Sequence, residues 1–196
     1  MIYRKRYDKL YQIAEGQAGY FTAAQAREAG FSWERLSNSV KRGKFQRVAH
    51  SVYRLTHFPG SPYEDLFVAW LITGPHSTIS HESALAVYEL SDVLPGEVHV
   101  IVPRTASRRR KGIRLHTNQL DPDEIAARSG LPVTTVARTI ADATSSGLAE
   151  EQVRLAIQEA LRRGLVSKDD LSIQAGRRGG RVKKIIQDYL RGEEAQ

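Results

Sequence analysis

The stretch Tyr20-Phe21-Thr22-Ala23-Ala24-Gln25-Ala26-Arg27-Glu28-Ala29-Gly30-Phe31-Ser32-Trp33-Glu34-Arg35-Leu36-Ser37-Asn38-Ser39-Val40-Lys41-Arg42 decides the fold. Thr22 is placed to cap a short helix by accepting a backbone N–H, and the alanines behind it allow a second helix to pack closely. Gly30 is the residue type that takes the left-handed conformation of a sharp helix stop. Phe31 plugs the turn, and Ser32 caps a helix running from Trp33 to Arg42. Two short helices joined at a glycine-containing turn form a helix-turn-helix. At roughly 100° per residue, Leu36 and Val40, with Trp33 beside them, face a core, while Glu34, Arg35, Asn38, Lys41 and Arg42 face outward. Standing alone, that face would read as solvated surface. Its inventory is also that of a recognition helix, because Arg bonds guanine bidentately, Asn does the same for adenine, and Lys neutralises phosphate.

The flanks favour the second reading. Upstream, Tyr3, Tyr7, Leu10 and Ile13 recur at spacings of three and four, the stripe of an amphipathic helix ending near Gly16 and Gly19. Downstream, residues 43–48 and 51–55 alternate apolar and polar positions around Ala49-His50 and predict a β-hairpin. Phe45, Val48, Val52 and Leu55 would cover the helices, leaving Lys44, Arg47, His50 and Arg54 on the strands and tip. A basic hairpin directly after a recognition helix is a wing set against phosphates. His50 reads equally well as a neutral turn residue.

Charge supports this division. The 196-residue chain carries a formal net charge of +7. Residues 1–60 hold eleven Lys/Arg against four Asp/Glu, whereas residues 61–196 hold eighteen of each, so the whole excess lies in the first third. A basic head on an electrically balanced body suits a polyanion-binding module with a separate partner domain. A hydrophobic content of 41% is enough for a packed core and argues against disorder. The absence of cysteine removes disulfides, thiolate metal sites and cysteine nucleophiles, and fits a reducing cytoplasm. The longest apolar run, Leu66 to Thr73, is far below the ~20 residues of a membrane span, and no apolar segment follows the charged N-terminus as in a secretory signal.

After a Pro- and Gly-containing linker, His57 to Pro62, the body reads as mixed α and β. Helices are predicted from Tyr63 to Leu71, Ser80 to Leu90, Thr135 to Asp142 and Ala149 to Arg163, with another starting at Ser167. A last amphipathic segment carries Val182, Ile185, Ile186, Tyr189 and Leu190. Strands are predicted at Glu97–Val102 and Gly112–Thr117. The expected class is therefore α+β, with a winged helix-turn-helix over 1–58 and a mixed domain with a small sheet over 63–196.

Catalytic chemistry has little support. His76 and His81 are five apart, which is not a one-face helical spacing, and Glu82 does not complete a zinc set. His99 and His116 could face each other across strands, but without a third ligand such a pair is ordinary packing. Asp121-Pro-Asp-Glu and Ser167-Lys-Asp-Asp are capping sequences, and no G-x-S-x-G, P-loop or H-E-x-x-H pattern occurs. No catalytic residue, metal or cofactor is expected. Two further basic clusters, Arg108-Arg109-Arg110-Lys111 and Arg177, Arg178, Arg181, Lys183 and Lys184, read as solvated loops or as an extension of a phosphate-binding face.

The run Gly19 to Leu55 resembles the N-terminal winged helix of AbiEi-family antitoxins. The resemblance is carried by Thr22-Ala-Ala-Gln25-Ala26, Gly30, Leu36, Gly43-x-Phe45-x-Arg47-Val48 and Val52-Tyr53-Arg54-Leu55; Ser51 stands where the family often has glycine. The C-terminal part is similar in Ser80-His81, Ser83-Ala84-Leu85, Leu131-Pro132-Val133-Thr134-Thr135, Ala137-Arg138-Thr139-Ile140-Ala141-Asp142 and Glu159 to Leu165. The resemblance covers roughly residues 4–171. It implies a cytoplasmic, non-enzymatic antitoxin that represses its own operon by binding promoter inverted repeats, as a dimer or cooperatively, and that counters a nucleotidyltransferase toxin. The expected DNA-facing set is Thr22, Gln25, Ser32, Glu34, Arg35, Asn38, Lys41, Arg42, Lys44, Arg47 and Arg54. The alternatives are a stand-alone winged-helix regulator whose body senses a ligand or protein, and a truncated nuclease-associated protein. Similar N-terminal halves precede small endonuclease domains, but only about 25 residues follow Leu171 here, too few for one.

Overall fold

The computed structural model describes residues 2–92, 95–106 and 108–194; the side chains of residues 2–4, Tyr3 of the first helical stripe among them, lie outside the described set. The chain forms two compact units, Met1–Ser77 with Ser129–Leu131, and Thr78–Arg128 with Pro132–Gln196. The architecture is α+β and contains the expected winged helix-turn-helix. No described helix is long and apolar enough to cross a membrane.

The first unit contains α1 (Ile2–Glu15), β1 (Tyr20–Thr22), α2 (Ala23–Glu28), α3 (Trp33–Lys41), β2 (Phe45–Ala49), β3 (Val52–Leu55) and α4 (Glu64–Thr73). Its signals act locally as expected. Thr22 Oγ1 accepts the Gln25 amide at 3.1 Å, and Gln25 Oε1 accepts the Thr22 amide at 2.8 Å, a reciprocal capping box at the start of α2. Gly30 takes φ +92°, and the Phe31 amide reaches back to Ala26 O at 2.9 Å, closing the helix end so that Phe31 turns inward. Ser32 Oγ accepts the Arg35 amide at 3.3 Å to start α3. The core packs Leu10 and Ala14 of α1, Ala26 of α2, Leu36 of α3, Phe45 of β2 and Tyr53 of β3 around Phe21 and Phe31.

Two features of this unit differ from the sequence expectation. Tyr20–Thr22 is a third strand, pairing antiparallel with β3 (Tyr20 opposite Arg54, Phe21 opposite Tyr53), so the sheet order is β1-β3-β2 rather than a lone hairpin. A three-residue strand abutting a helix cap is too short to show a period. Helix α4, placed by its linker with the second domain, packs in the first unit. Phe67 is buried and stacks on Tyr20, centroids 6.0 Å apart and planes within 6°. The supposed linker is itself tied down, since Arg54 donates to Phe58 O at 2.8 Å and to Pro59 O at 3.0 Å. Gly19 makes room for Phe58: a Cβ there would lie 2.6 Å from that ring.

The second unit contains β4 (Thr78–Ile79), α5 (His81–Val87), β5 (Val98–Ile101), β6 (Ile113–His116), β7 (Ile125–Arg128), β8 (Leu131–Thr134), α6 (Val136–Ser145), α7 (Glu150–Arg162), α8 (Lys168–Arg178) and α9 (Gly180–Glu194). The sheet order is β6-β5-β4-β8-β7, with β5–β6 and β4–β8 parallel and β4–β5 antiparallel. Strands β4 and β7 were not anticipated: β4 is two residues long, and β7, Ile-Ala-Ala-Arg, is poor in β-formers. Helix α6 is buried from Val136 through Thr144, its polar side chains Arg138 and Asp142 included.

Arg138, 2% exposed, lies in the middle of that buried helix. Its Nε donates to Asp142 Oδ2 at 2.8 Å, Nη2 to Gln119 O at 3.1 Å, and Nη1 to Glu124. Gln174 Nε2 donates to Glu124 Oε1 at 2.9 Å, and Arg178 reaches Asp142 Oδ1 at 2.8 Å. The capping box at Asp121 is present, but its Glu124 also belongs to this network. Burial pushes the Glu124 carboxyl up, and the Gln174 and Asp121 hydrogen bonds and the nearby guanidiniums outweigh it, so the group stays below the usual carboxylate range.

Two predictions follow from these interiors. Ser51, at the hairpin tip, takes φ +59°, a left-handed backbone that disfavours a Cβ; Ser51→Gly should raise stability by about 0.5–1 kcal/mol, read as a later urea midpoint with unchanged slope. Arg138→Ala removes the one cation that both buried carboxylates share, leaving Glu124 to Gln174 and Arg177 and Asp142 to Arg178, and should cost about 3–5 kcal/mol, a loss visible as an earlier midpoint of the second unit; a change under about 1 kcal/mol would show that the network contributes nothing.

Candidate nucleic-acid interface

Helix α3 separates its faces as its periodicity requires. Leu36 and Ser39 are buried, with Tyr7 Oη and Ser39 Oγ 3.0 Å apart, and Val40 packs on the same core. Glu34, Arg35, Asn38, Lys41 and Arg42 are exposed, as is the cap residue Ser32. None of the four cationic or amide side chains on this face, Arg35, Asn38, Lys41 and Arg42, is held in an ion pair among the described residues. Trp33 departs from expectation. It is 59% exposed, at the half-buried Val40 edge of the helix, with the Arg27 guanidinium 5.7 Å from its ring centroid. Phe31 already fills the core, so the indole adds an aromatic surface next to the cationic face.

On the hairpin, Lys44 and Arg47 are exposed. The Lys44 ammonium lies 5.1 Å from the Tyr7 ring centroid, and Arg47 Nε donates to Ala49 O at 3.4 Å, which directs it along the hairpin. The strands shift register between Arg47 and Ala49, a bulge at Val48 that bends the wing. Three other members of the expected contact set are committed to the fold. Arg54 is 14% exposed in its side chain, bonded to the 58–59 carbonyls and 3.8 Å from Glu64, with its guanidinium 5.6 Å from the Tyr20 ring centroid. Thr22 and Gln25 form the capping box, and Gln25 Nε2 also donates to Gln17 Oε1 at 2.8 Å. These three are half-buried and hold the fold together.

The basic clusters of the second unit divide the same way. Arg108, Arg109 and Lys111 are exposed, while Arg110 is half-buried and donates to Arg108 O at 3.0 Å. Arg177 lies 3.5 Å from Glu124 and 3.9 Å from Asp121, Arg178 binds Asp142, and Arg181 donates to Thr144 O and, at 2.6 Å, to Leu148 O. The three arginines of the C-terminal cluster thus satisfy buried carboxylates and helix-end carbonyls, although Arg177 and Arg181 remain exposed along with Lys183 and Lys184. Ser167 caps α8 through the Asp170 amide at 3.0 Å, as its sequence predicts.

The structure also brings together residues that the sequence keeps apart. His81, His99 and His116 each place a ring nitrogen within 4.8 Å of the others; His76 stays exposed. Burial, followed by the neighbouring His116 and His99, pushes the His81 imidazole down to about 3, and burial with His99 and Arg114 pushes His116 to about 4, so both rings are neutral at pH 7. Burial pushes the Glu82 carboxyl up, but hydrogen bonds from His99, its own backbone and Ser146 prevail and hold it at about 2. The signal for this cluster was β4: without that two-residue strand nothing in the sequence carries His81 to the side of His99.

Comparison with known proteins adds the following. Residues 8–56 match the family model described as transcriptional regulator, AbiEi antitoxin. No curated protein sequence matches significantly. Among solved structures, the RV2827C protein from Mycobacterium tuberculosis aligns over 94% of this chain and 76% of its own, with a TM-score of 0.57 and 13% identity, a likeness of fold alone. The matched span runs from α1 to the end of β3 and contains the capped α2, the glycine turn, α3 and the wing, so it is the winged helix-turn-helix of this chain that is similar to the AbiEi antitoxin family of transcriptional regulators.

Proposed function

We propose that this chain is a DNA-binding antitoxin whose winged helix-turn-helix, residues 1–58, represses its own operon by gripping inverted repeats in the promoter. The observation that carries the reading is the exposed face of α3. Among the described residues, Arg35, Asn38, Lys41 and Arg42 stand clear of internal ion pairs, on a helix anchored from behind by Leu36 and Ser39. In a major groove, Arg35, Asn38 and Arg42 offer bidentate partners for purine edges, and Lys41 with Lys44 and Arg47 of the wing neutralises phosphates. Ser32 and Glu34 lie at the N-terminal end of α3, the end that points toward the bases in helix-turn-helix complexes. Two heads on a palindromic site, as a dimer or by cooperative binding, match the two-fold symmetry of inverted repeats. The AbiEi match, which lies within the first unit, supports a toxin–antitoxin setting, and the remaining part of the proposal is that the chain counters a nucleotidyltransferase toxin in the cytoplasm without enzymatic chemistry of its own.

A gel shift on the chain's own upstream DNA tests the interface. Arg35→Ala and Arg42→Ala should each weaken binding by about 1–3 kcal/mol and relax sequence preference, and wild-type affinity should fall steeply between 50 and 200 mM salt. Arg54→Lys, altering a residue bound inside the fold, should change stability more than specificity. Full affinity and unaltered preference in both alanine variants would reject α3 as the reading element.

A further inference from the structure

Three imidazoles from separate elements meet inside the second unit. His81 opens α5, His99 lies on β5 and His116 ends β6, and one nitrogen of each lies within 4.8 Å of the other two. Parallel pairing sets His99 opposite Arg114 and Ile101 opposite His116, so the two histidines are two positions apart along one face of the sheet. Strand β4 supplies the third: Ile79 pairs with Val100, and the Ser80 amide donates to His99 O at 3.1 Å, which delivers His81 beside His99.

Two of the three rings also have an oxygen close to Nδ1. His81 Nδ1 is 2.9 Å from Ser80 Oγ, and His99 Nδ1 is 2.7 Å from Glu82 Oε2. Glu82 is held in turn by Ser146, whose hydroxyl donates to Oε1 at 3.1 Å. Carboxylate-to-histidine contacts of this kind fix the tautomer and aim Nε2 at a metal. His116 Nε2 is buried with no hydrogen-bond partner among the described residues. Unpartnered buried nitrogen is costly, and an apolar side chain would fill the same space without it. His81 also takes φ +51°, a strained backbone for a residue with a Cβ.

We infer that His81, His99 and His116 form a tri-histidine site for a divalent first-row cation, Zn2+ foremost, with the fourth position left to solvent or an oxygen ligand. Imidazole ligands without thiolate suit Zn2+ among the common metals, and three protein ligands leave a tetrahedral site open. Zn–N bonds of about 2.0–2.1 Å put tetrahedral nitrogens roughly 3.3 Å apart, so the rings draw together on loading. His81 and His116 now stack face to face, centroids 3.6 Å apart and planes at 14°. Binding exchanges that stack for an edge-on arrangement, and His116, half-buried on the edge strand β6, is the ring that turns. Glu82 is a positioning residue that acts through His99.

The test uses the full chain, stripped with chelator and titrated with Zn2+ by calorimetry and with Co2+ by visible absorption. We expect one equivalent of Zn2+, intense tetrahedral Co2+ bands, and a Tm raised by roughly 5–10 °C at a hundredfold excess over Kd. His116→Gln should abolish all three while keeping its helical circular dichroism, and Glu82→Gln should weaken Zn2+ binding 10–100-fold. A variant with His50, His57 and His76 all changed to Gln should bind as wild type. If His116→Gln fails to fold, the wild-type Co2+ spectrum decides, weak octahedral bands counting against the site. Absence of stoichiometric binding, or binding lost in the triple surface variant and kept in His116→Gln, overturns the inference.

Discussion

The packing of Phe45 is the constraint on which the reading head depends. Its ring, 2% exposed, meets Phe21 edge-on at 5.0 Å, Phe31 at 5.7 Å and Tyr7 at 5.7 Å, and shares a cluster with Leu36. One side chain on the wing thereby joins β1, the helix-turn-helix corner, α1 and α3. Truncating a phenylalanine buried in this way to alanine costs about 3–5 kcal/mol, enough to loosen α3 from the hairpin. The polar side of α3 is thus not a loose cationic helix. It is the outer surface of an element whose inner surface is fixed.

Much of this was legible because the deciding signals are local. A capping threonine, a glycine at φ +92° and a serine cap each act within four residues, and the alternation from Phe45 to Leu55 set the wing's inward face. What escaped detection depends on distance. Strands β1 and β4 are three and two residues long, below the length at which a period shows, and the polar side chains of α6 are buried with the rest of the helix rather than turned to solvent. Trp33 was assigned inward by angle alone, yet the space belongs to Phe31.

Charge shows the same limit. Counting cations correctly placed the excess in the first third, but a count cannot separate an arginine that meets solvent from one bound to a carboxylate. Arg35, Arg42 and Arg47 are exposed; Arg54, Arg138 and Arg178 hold carbonyls or carboxylates inside their units. The Ala137–Asp142 motif has a physical reason only once Arg138 and Asp142, one helical turn apart on α6, are seen to be buried together. The histidines repeat the lesson, being unremarkable in spacing and adjacent only through sheet order.

The central claim is that a helix fixed from behind by aromatic packing presents Arg35, Asn38 and Arg42 to the edges of bases. Amide chemical-shift mapping of the full chain against a duplex of its own promoter examines that claim most directly. The account predicts perturbations concentrated on residues 32–42 and on the wing around Lys44 and Arg47, with α9 unaffected. Perturbations centred on Arg108–Lys111 or on Lys183 and Lys184, with α3 silent, would contradict it.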